Sequence, residues 1–259
     1  MGGWLKKCII RYCKIYFLWS LIYSPLAIVY YVKEKFTLQN AIISYLRDLF
    51  YTGQHYNSWI LWYVLSSIYA MIVIYIILKF FRKRTNLMLV LLSAFSVFVY
   101  IGLHIISGRN DVISSVRLLH GCIYMPIGIL IYEYRQKLLS IRIIIWPLTA
   151  LFLSLTSIVF QYVCDVRVIQ DIIIVGLATA LFVSIICLKS CGEKNTSSYR
   201  KISTYIFYLH LYIWTAYYSL VYGEKHFGMD SFIVTCISTI VVSYIVYTIR
   251  NKRIIPVEG

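Results

Sequence analysis

Long apolar runs alternate with short basic turns along this chain. The runs fall at about 15–32, 57–81, 87–107, 118–132, 141–163, 172–188, 202–221 and 231–249. A hydrocarbon core of roughly 30 Å is crossed by about 20 apolar residues of helix, so these segments are predicted membrane spans. The run 118–132 is the shortest and contains Pro126. Its backbone is tolerable in lipid only if neighbouring helices satisfy the carbonyl that proline frees. The connections alternate in charge: every second segment, the ends included, carries 18 of the 25 Lys and Arg residues, and the others carry 7. Cationic turns remain on the cytoplasmic side. The expected fold is all-α, a polytopic transmembrane bundle of about eight spans with both termini cytoplasmic.

The longest connection, 33–58, repeats apolar residues at helical spacing (Leu38, Ile42, Ile43, Leu46, Leu49, Phe50), with Gln39, Asn40, Arg47 and Asp48 between them. This pattern predicts an amphipathic helix that lies in the interface plane or folds back as a lid.

Composition sharpens the picture. At 61% hydrophobic and 14% charged, the 259 residues are too apolar for a water-soluble domain and too hydrophobic for disorder. The net charge of +15 is clustered in the turns, which makes it topological and argues against nucleic acid as a partner. Seven Cys residues occur without a C-x-x-C pair, mostly in or beside apolar runs, as reduced thiols do. No cleavable leader, repeat or soluble domain is visible, so residues 1–259 read as a single integral-membrane domain. The chemistry must then sit in or between the spans.

None of the acidic residues lies in the middle of a span, which weighs against an ion-coupled transporter. No phosphate-binding glycine loop, H-E-x-x-H or G-x-S-x-G motif occurs, and no metal site is expected. His210 falls near the middle of the seventh run, on one helix face with Ser203, Phe207, Trp214 and Tyr217. That face either lines a cavity, with His210 bonding a substrate or a catalytic group, or packs in the bundle on a neighbouring polar group. His55, His104, His120 and His226 are expected near outer span ends, as an acceptor site or as a solvated rim. Trp59, Trp62 and Tyr63 read either as an aromatic belt or as a platform for a sugar ring. Lys6, Lys7, Arg11 and Lys14 read either as a lipid-phosphate anchor or as a clamp for a nucleotide-containing donor.

Four segments in order resemble the acyltransferase family 3 membrane proteins. LKKCIIRYCKIYFLWSLIYSP (5–25) is similar to their basic pair and Arg followed by Tyr and Trp. SWILWYVLSSIYAMIVIYII (58–77) resembles their L-W-Y/F-L span. VRLLHGCIYMPIGILIYE (116–133) resembles their Arg-then-P-F-x-x-x-G span, and RKISTYIFYLHLYIW (200–214) their closing S-x-x-x-x-Y-x-x-H span. The resemblance implies an O-acyltransferase of the bacterial cytoplasmic membrane. It would move an acyl group, usually acetyl, from acyl-CoA to a hydroxyl of a lipid-linked or exported glycan, with no bound cofactor. By the same resemblance Lys7 and Arg11 meet the donor phosphates, Trp62, Tyr63 and Trp214 meet the acceptor, and His210 supports the reaction cavity. The departures are Cys8 where the family often has Arg, Ile60 where many members have His, and no counterpart for the family's opening Arg and His. A chain truncated at its N-terminus, with little or no transferase activity, is therefore expected. The other expectation is a non-catalytic membrane component of glycan export or assembly.

Overall fold

The computed structural model describes residues 2–54, 61–107, 118–141, 144–163, 167–187 and 197–252. Among the described residues the chain is helical: α1 (Gly2–Lys33), α2 (Leu38–Arg47), α3 (Leu61–Phe80), α4 (Thr85–Ser107), α5 (Leu119–Glu133), α6 (Arg135–Leu139), α7 (Ile145–Val163), α8 (Arg167–Cys187), α9 (Ser197–Val221) and α10 (Met229–Lys252). In each of the eight apolar runs a helix lies among the described residues. Four of the helices, over Gly3–Lys33, Leu61–Phe80, Arg82–Leu103 and Met229–Arg250, are long and apolar enough to cross a membrane. Those over Leu119–Glu133, Ile145–Phe160 and Ile172–Ile186 are apolar but shorter. Large apolar side chains such as Phe98, Ile106, Ile185 and Leu220 are broadly exposed. Such an exterior is stable in hydrocarbon and not in water, and the protein is a membrane protein.

α1 begins well before the predicted start near residue 15. Leu5 and Tyr16 are buried while Lys7, Arg11 and Lys14 are exposed, so the basic segment is an amphipathic helix with nothing to break it from the apolar run. Pro25 lies inside α1 and cannot donate to the Leu21 carbonyl. Ser24 Oγ donates to that carbonyl instead, at 2.7 Å. Likewise α5 runs through Pro126 without a break, and Ser93 on α4 donates to the adjacent Ile123 carbonyl at 3.2 Å.

The chain divides into two compact units, residues 1–16 with 62–191 and residues 17–61 with 192–259. In the first, α3 carries most of the core: Val64, Leu65, Ile68, Ala70, Met71 and Ile74 are buried. α4 packs on α5, and α7 on α8. Ser66 of α3 ties down the start of α5. Its hydroxyl donates to the Leu118 carbonyl at 2.8 Å and accepts from the Gly121 N–H at 2.7 Å. That N–H is one of the first-turn donors that a helix cannot satisfy itself. The approach needs glycine, because a Cβ on Gly121 would collide with the Ser66 backbone carbonyl and hydroxyl.

In the second unit α9 packs on α10 and on the later part of α1. The Tyr23 hydroxyl donates to the Tyr208 carbonyl at 2.6 Å, and Trp19 stacks on Tyr208 at 4.7 Å. The predicted amphipathic helix in 33–58 is α2, with Thr37 as its N-cap. Leu38, Ile42, Ile43 and Leu46 are exposed, leaving the apolar stripe free to enter an interface.

Candidate functional site

The α9–α10 hairpin is pinned at both ends. At the open end the Ser198 and Tyr247 hydroxyls lie 2.7 Å apart, and Arg250 donates to the Tyr205 hydroxyl at 2.9 Å. At the turn Asp230, in the first turn of α10, gathers three donors. Tyr222 donates to Oδ2 at 2.5 Å, Tyr217 to the same oxygen at 3.3 Å, and His226 Nε2 lies 3.3 Å from Oδ1. The hydrogen bond to Asp230 raises the Tyr222 phenol above its ordinary range, so it stays protonated and donating. The Tyr222 ring stacks on His226 at 4.0 Å. Gly228 makes room for this knot, since a Cβ there would strike both Asp230 Oδ1 and His226 Nε2.

Beneath the knot runs a groove of about 900 Å³ between α9 and α10. α9 contributes Ile206, His210, Leu211 and Trp214. The turn and α10 contribute Phe227, Ser231, Phe232, Thr235, Cys236 and Thr239 among others. Trp214 Nε1 donates to the His226 carbonyl at 3.3 Å, which fixes the indole beside Phe227 with ring centres 5.1 Å apart. His210 Nδ1 lies 3.2 Å from the Ile206 carbonyl. A carbonyl only accepts, so a neutral imidazole held here donates from Nδ1 and keeps its Nε2 lone pair for an incoming donor.

The α10 wall is unusual in its hydroxyls. Ser231, Thr235, Thr239 and Ser243 follow one another at intervals of four residues, are nine-tenths or more buried, and have no hydrogen-bond partner among the described residues. Hydroxyls in an apolar helix ordinarily bond the carbonyl one turn back. Thr149, Thr156, Thr179, Ser184 and Thr248 of this chain do so. Three of the unpartnered four line the groove. An orphaned buried hydroxyl costs on the order of 1–3 kcal/mol. The groove therefore has an apolar body, three aromatic side chains (Trp214, Phe227 and Phe232), one ring-nitrogen acceptor and three unused hydroxyls, a set that suits a ligand carrying both C–H faces and hydroxyl groups.

Of the α9 face read from sequence, His210 and Trp214 line this groove. Tyr217 reaches Asp230, Ser203 and Phe207 lie outside the lining, and the Phe207 ring is 6.5 Å from His210. Lys7, Arg11, Trp62, Tyr63 and His120 belong to the first unit. Lys7 and Arg11 are exposed one turn apart on α1, and neither makes an ion pair among the described residues. Trp62 and Tyr63 stand edge to face, 6.0 Å apart at 90°, so a ring stacked on one meets only the edge of the other. Trp62 turns to His120, at 5.5 Å, which Tyr100 and Tyr124 also contact at 5.2 and 6.2 Å. His55 and Trp59 lie outside the described residues, as does the His104 side chain. Among the described residues no group of three or more His, Cys, Asp or Glu is placed to hold a metal. Sequence reading missed the hydroxyl row and the Asp230 knot, although the four-residue hydroxyl spacing in 231–243 is plain in the chain.

Compared with known proteins, residues 1–248 match the family model described as an acyltransferase domain. No curated protein and no solved structure matches the chain. The matched stretch takes in every helix that builds the groove, and it covers the four segments that carry the sequence resemblance. On that match, the chain belongs to the acyltransferase family 3 membrane proteins.

Proposed function

We propose that the protein serves O-acyl transfer at the membrane: an acyl group, acetyl in the simplest case, passes from acyl-CoA to a hydroxyl of a lipid-linked or exported envelope glycan. Both chain ends face the cytosol of a bacterial cell in this reading, with Lys7 and Arg11 toward the donor phosphates. The α9–α10 groove holds the acceptor. A pyranose ring presents axial C–H groups to Trp214 and Phe227, and its hydroxyls reach Ser231, Thr235 and Thr239. The observation that carries this reading is the His210 ring, held at Nδ1 by the Ile206 carbonyl, beside those unpartnered hydroxyls.

The reaction breaks the thioester C–S bond and forms an ester C–O bond, while the hydroxyl proton passes to a base and the thiol leaves protonated. His210 Nε2 accepts a hydrogen bond from the attacking hydroxyl and so orients it. An apolar groove keeps water from competing as nucleophile.

The test uses the full chain in membranes, with radiolabelled acetyl-CoA and tritiated oligosaccharides released from the cell's own envelope polysaccharide. Glycan binding, and any base-labile acetyl ester, are expected to fall in His210→Ala with membrane insertion unchanged. Equal binding and equal ester in the variant remove His210 from the site. Glycan binding with no ester in the wild-type chain favours the non-catalytic glycan-handling role.

A further inference from the structure

A second cavity lies in the first unit. It occupies about 930 Å³ where α3 ends and α4 begins. Its floor is apolar, made by Tyr75, Leu78, Leu87 and Ile129. Its rim carries four cations: Lys79 in the last turn of α3, and Arg82, Lys83 and Arg84 in the single 3-10 turn that joins the two helices.

Three adjacent cations in one tight turn, with a fourth one helical turn earlier, repel one another unless an anion lies among them. Among the described residues none of the four makes an ion pair. The one carboxylate lining the cavity, Glu133, is held on its wall by Asn86, which donates to it at 3.0 Å and to the Tyr134 hydroxyl at 3.3 Å, and it ion-pairs with none of the four cations among the described residues. Thr85 donates its hydroxyl back to the Phe81 and Arg82 carbonyls, which closes the turn and holds the three basic residues together. The N-terminus of α4 opens on the same cavity through Thr85, Asn86 and Leu87, and its dipole adds to the positive field. A purely topological signal needs basic residues in the turn but no cavity behind them. Here the cations surround a concave site with an apolar base.

We propose that this cavity binds a phosphate-bearing anion, with Arg82, Lys83, Arg84 and Lys79 on its oxygens and its uncharged portion on the floor. Arginine forks grip phosphate oxygens in pairs, and lysine adds point charge. The same chemistry is presented by a soluble diphosphate and by the headgroup of an anionic phospholipid.

Binding is measured on the full chain in phosphatidylcholine nanodiscs, with inorganic pyrophosphate as probe at low ionic strength. The expected result is saturable binding, at least tenfold weaker in Arg82→Gln/Arg84→Gln, weakened by added salt, and tightened in Glu133→Gln, which removes the opposing charge while keeping an oxygen for Asn86. Gln retains most of the arginine stem, and thermal unfolding of each variant reports whether it folds. A parallel arm uses nanodiscs containing phosphatidylglycerol. If pyrophosphate does not bind but phosphatidylglycerol is retained by the wild-type chain and lost by the double variant, the anion is a lipid headgroup and the site stands. Binding of neither probe, or equal binding by wild type and double variant, overturns it. No acyl transfer is measured, so failure here leaves the groove reading untouched, and failure of the groove reading leaves this one.

Discussion

Replacing Thr235 and Thr239 together by valine separates a ligand-binding role from a structural one. Valine matches threonine in shape, and the two residues are 9% and 1% exposed, their hydroxyls without a partner among the described residues. Removing the pair of unpartnered buried hydroxyls relieves on the order of 1–3 kcal/mol. For a chain of this size that raises the unfolding temperature by roughly 2–12 °C. If the same hydroxyls bond an acceptor, two net hydrogen bonds of about 0.5–1.5 kcal/mol each are lost on binding, or roughly a 5- to 150-fold weaker affinity. The double variant should thus be more stable and bind glycan less well. Thermal unfolding in nanodiscs reads the first effect, and equilibrium dialysis with tritiated envelope oligosaccharides reads the second. An unchanged or lower unfolding temperature together with unchanged glycan affinity would refute the reasoning.

Other substitutions test the scaffold and the remaining site assignments. Gly121→Ala forces a Cβ against the Ser66 backbone and breaks two interhelical hydrogen bonds, so a loss of roughly 2–4 kcal/mol is expected on chemical unfolding, net of the alanine helix preference. Gly128→Ala, with nothing within 4 Å of the added carbon, serves as its control and should be neutral or slightly stabilising. Asp48, in the turn after α2, has its carboxyl raised above its usual 3.8 by burial, against the lowering effects of Arg47 and Thr52. Its protonated form is the one the fold favours, so that contribution is present in acid and is lost as pH rises through the raised value. Asp48→Asn should therefore be relatively more stable than wild type at pH 7 than at pH 4; a constant difference between the two would contradict the burial. Arg11→Ala should weaken dependence on acyl-CoA and leave glycan binding alone, and an unaltered acyl-CoA dependence would return that residue to a topological role.

The helices were legible because apolar runs of this length have few other ways to satisfy their backbone in lipid. Pro25 and Pro126 were the places where pattern alone misleads. Each sits inside a helix, one with Ser24 bonded to the carbonyl it frees and the other beside a carbonyl bonded by Ser93. The start of α1 was missed because amphipathic and apolar helix share one continuous hydrogen-bond ladder, and only hydropathy changes at residue 15. Helical spacing placed His210 and Trp214 on one face, and both line the groove. Spacing carries no tautomer, and the Ile206 carbonyl supplies that information only in three dimensions. The hydroxyl row was visible as a four-residue repeat. Its meaning depends on those side chains failing to bond their own helix, which the sequence does not encode.

Cys236 offers the most direct measurement of the groove. It is a free, exposed thiol on the groove wall, whereas the free thiols Cys8, Cys13 and Cys122 lie in the other unit. Alkylation by a membrane-permeant maleimide is followed residue by residue, with and without saturating envelope oligosaccharide. Bound glycan should slow Cys236 several-fold, leave Cys8 unaffected, and lose its protective effect in His210→Ala. A Cys236 rate that is identical with and without the oligosaccharide would contradict the placement of the acceptor between α9 and α10.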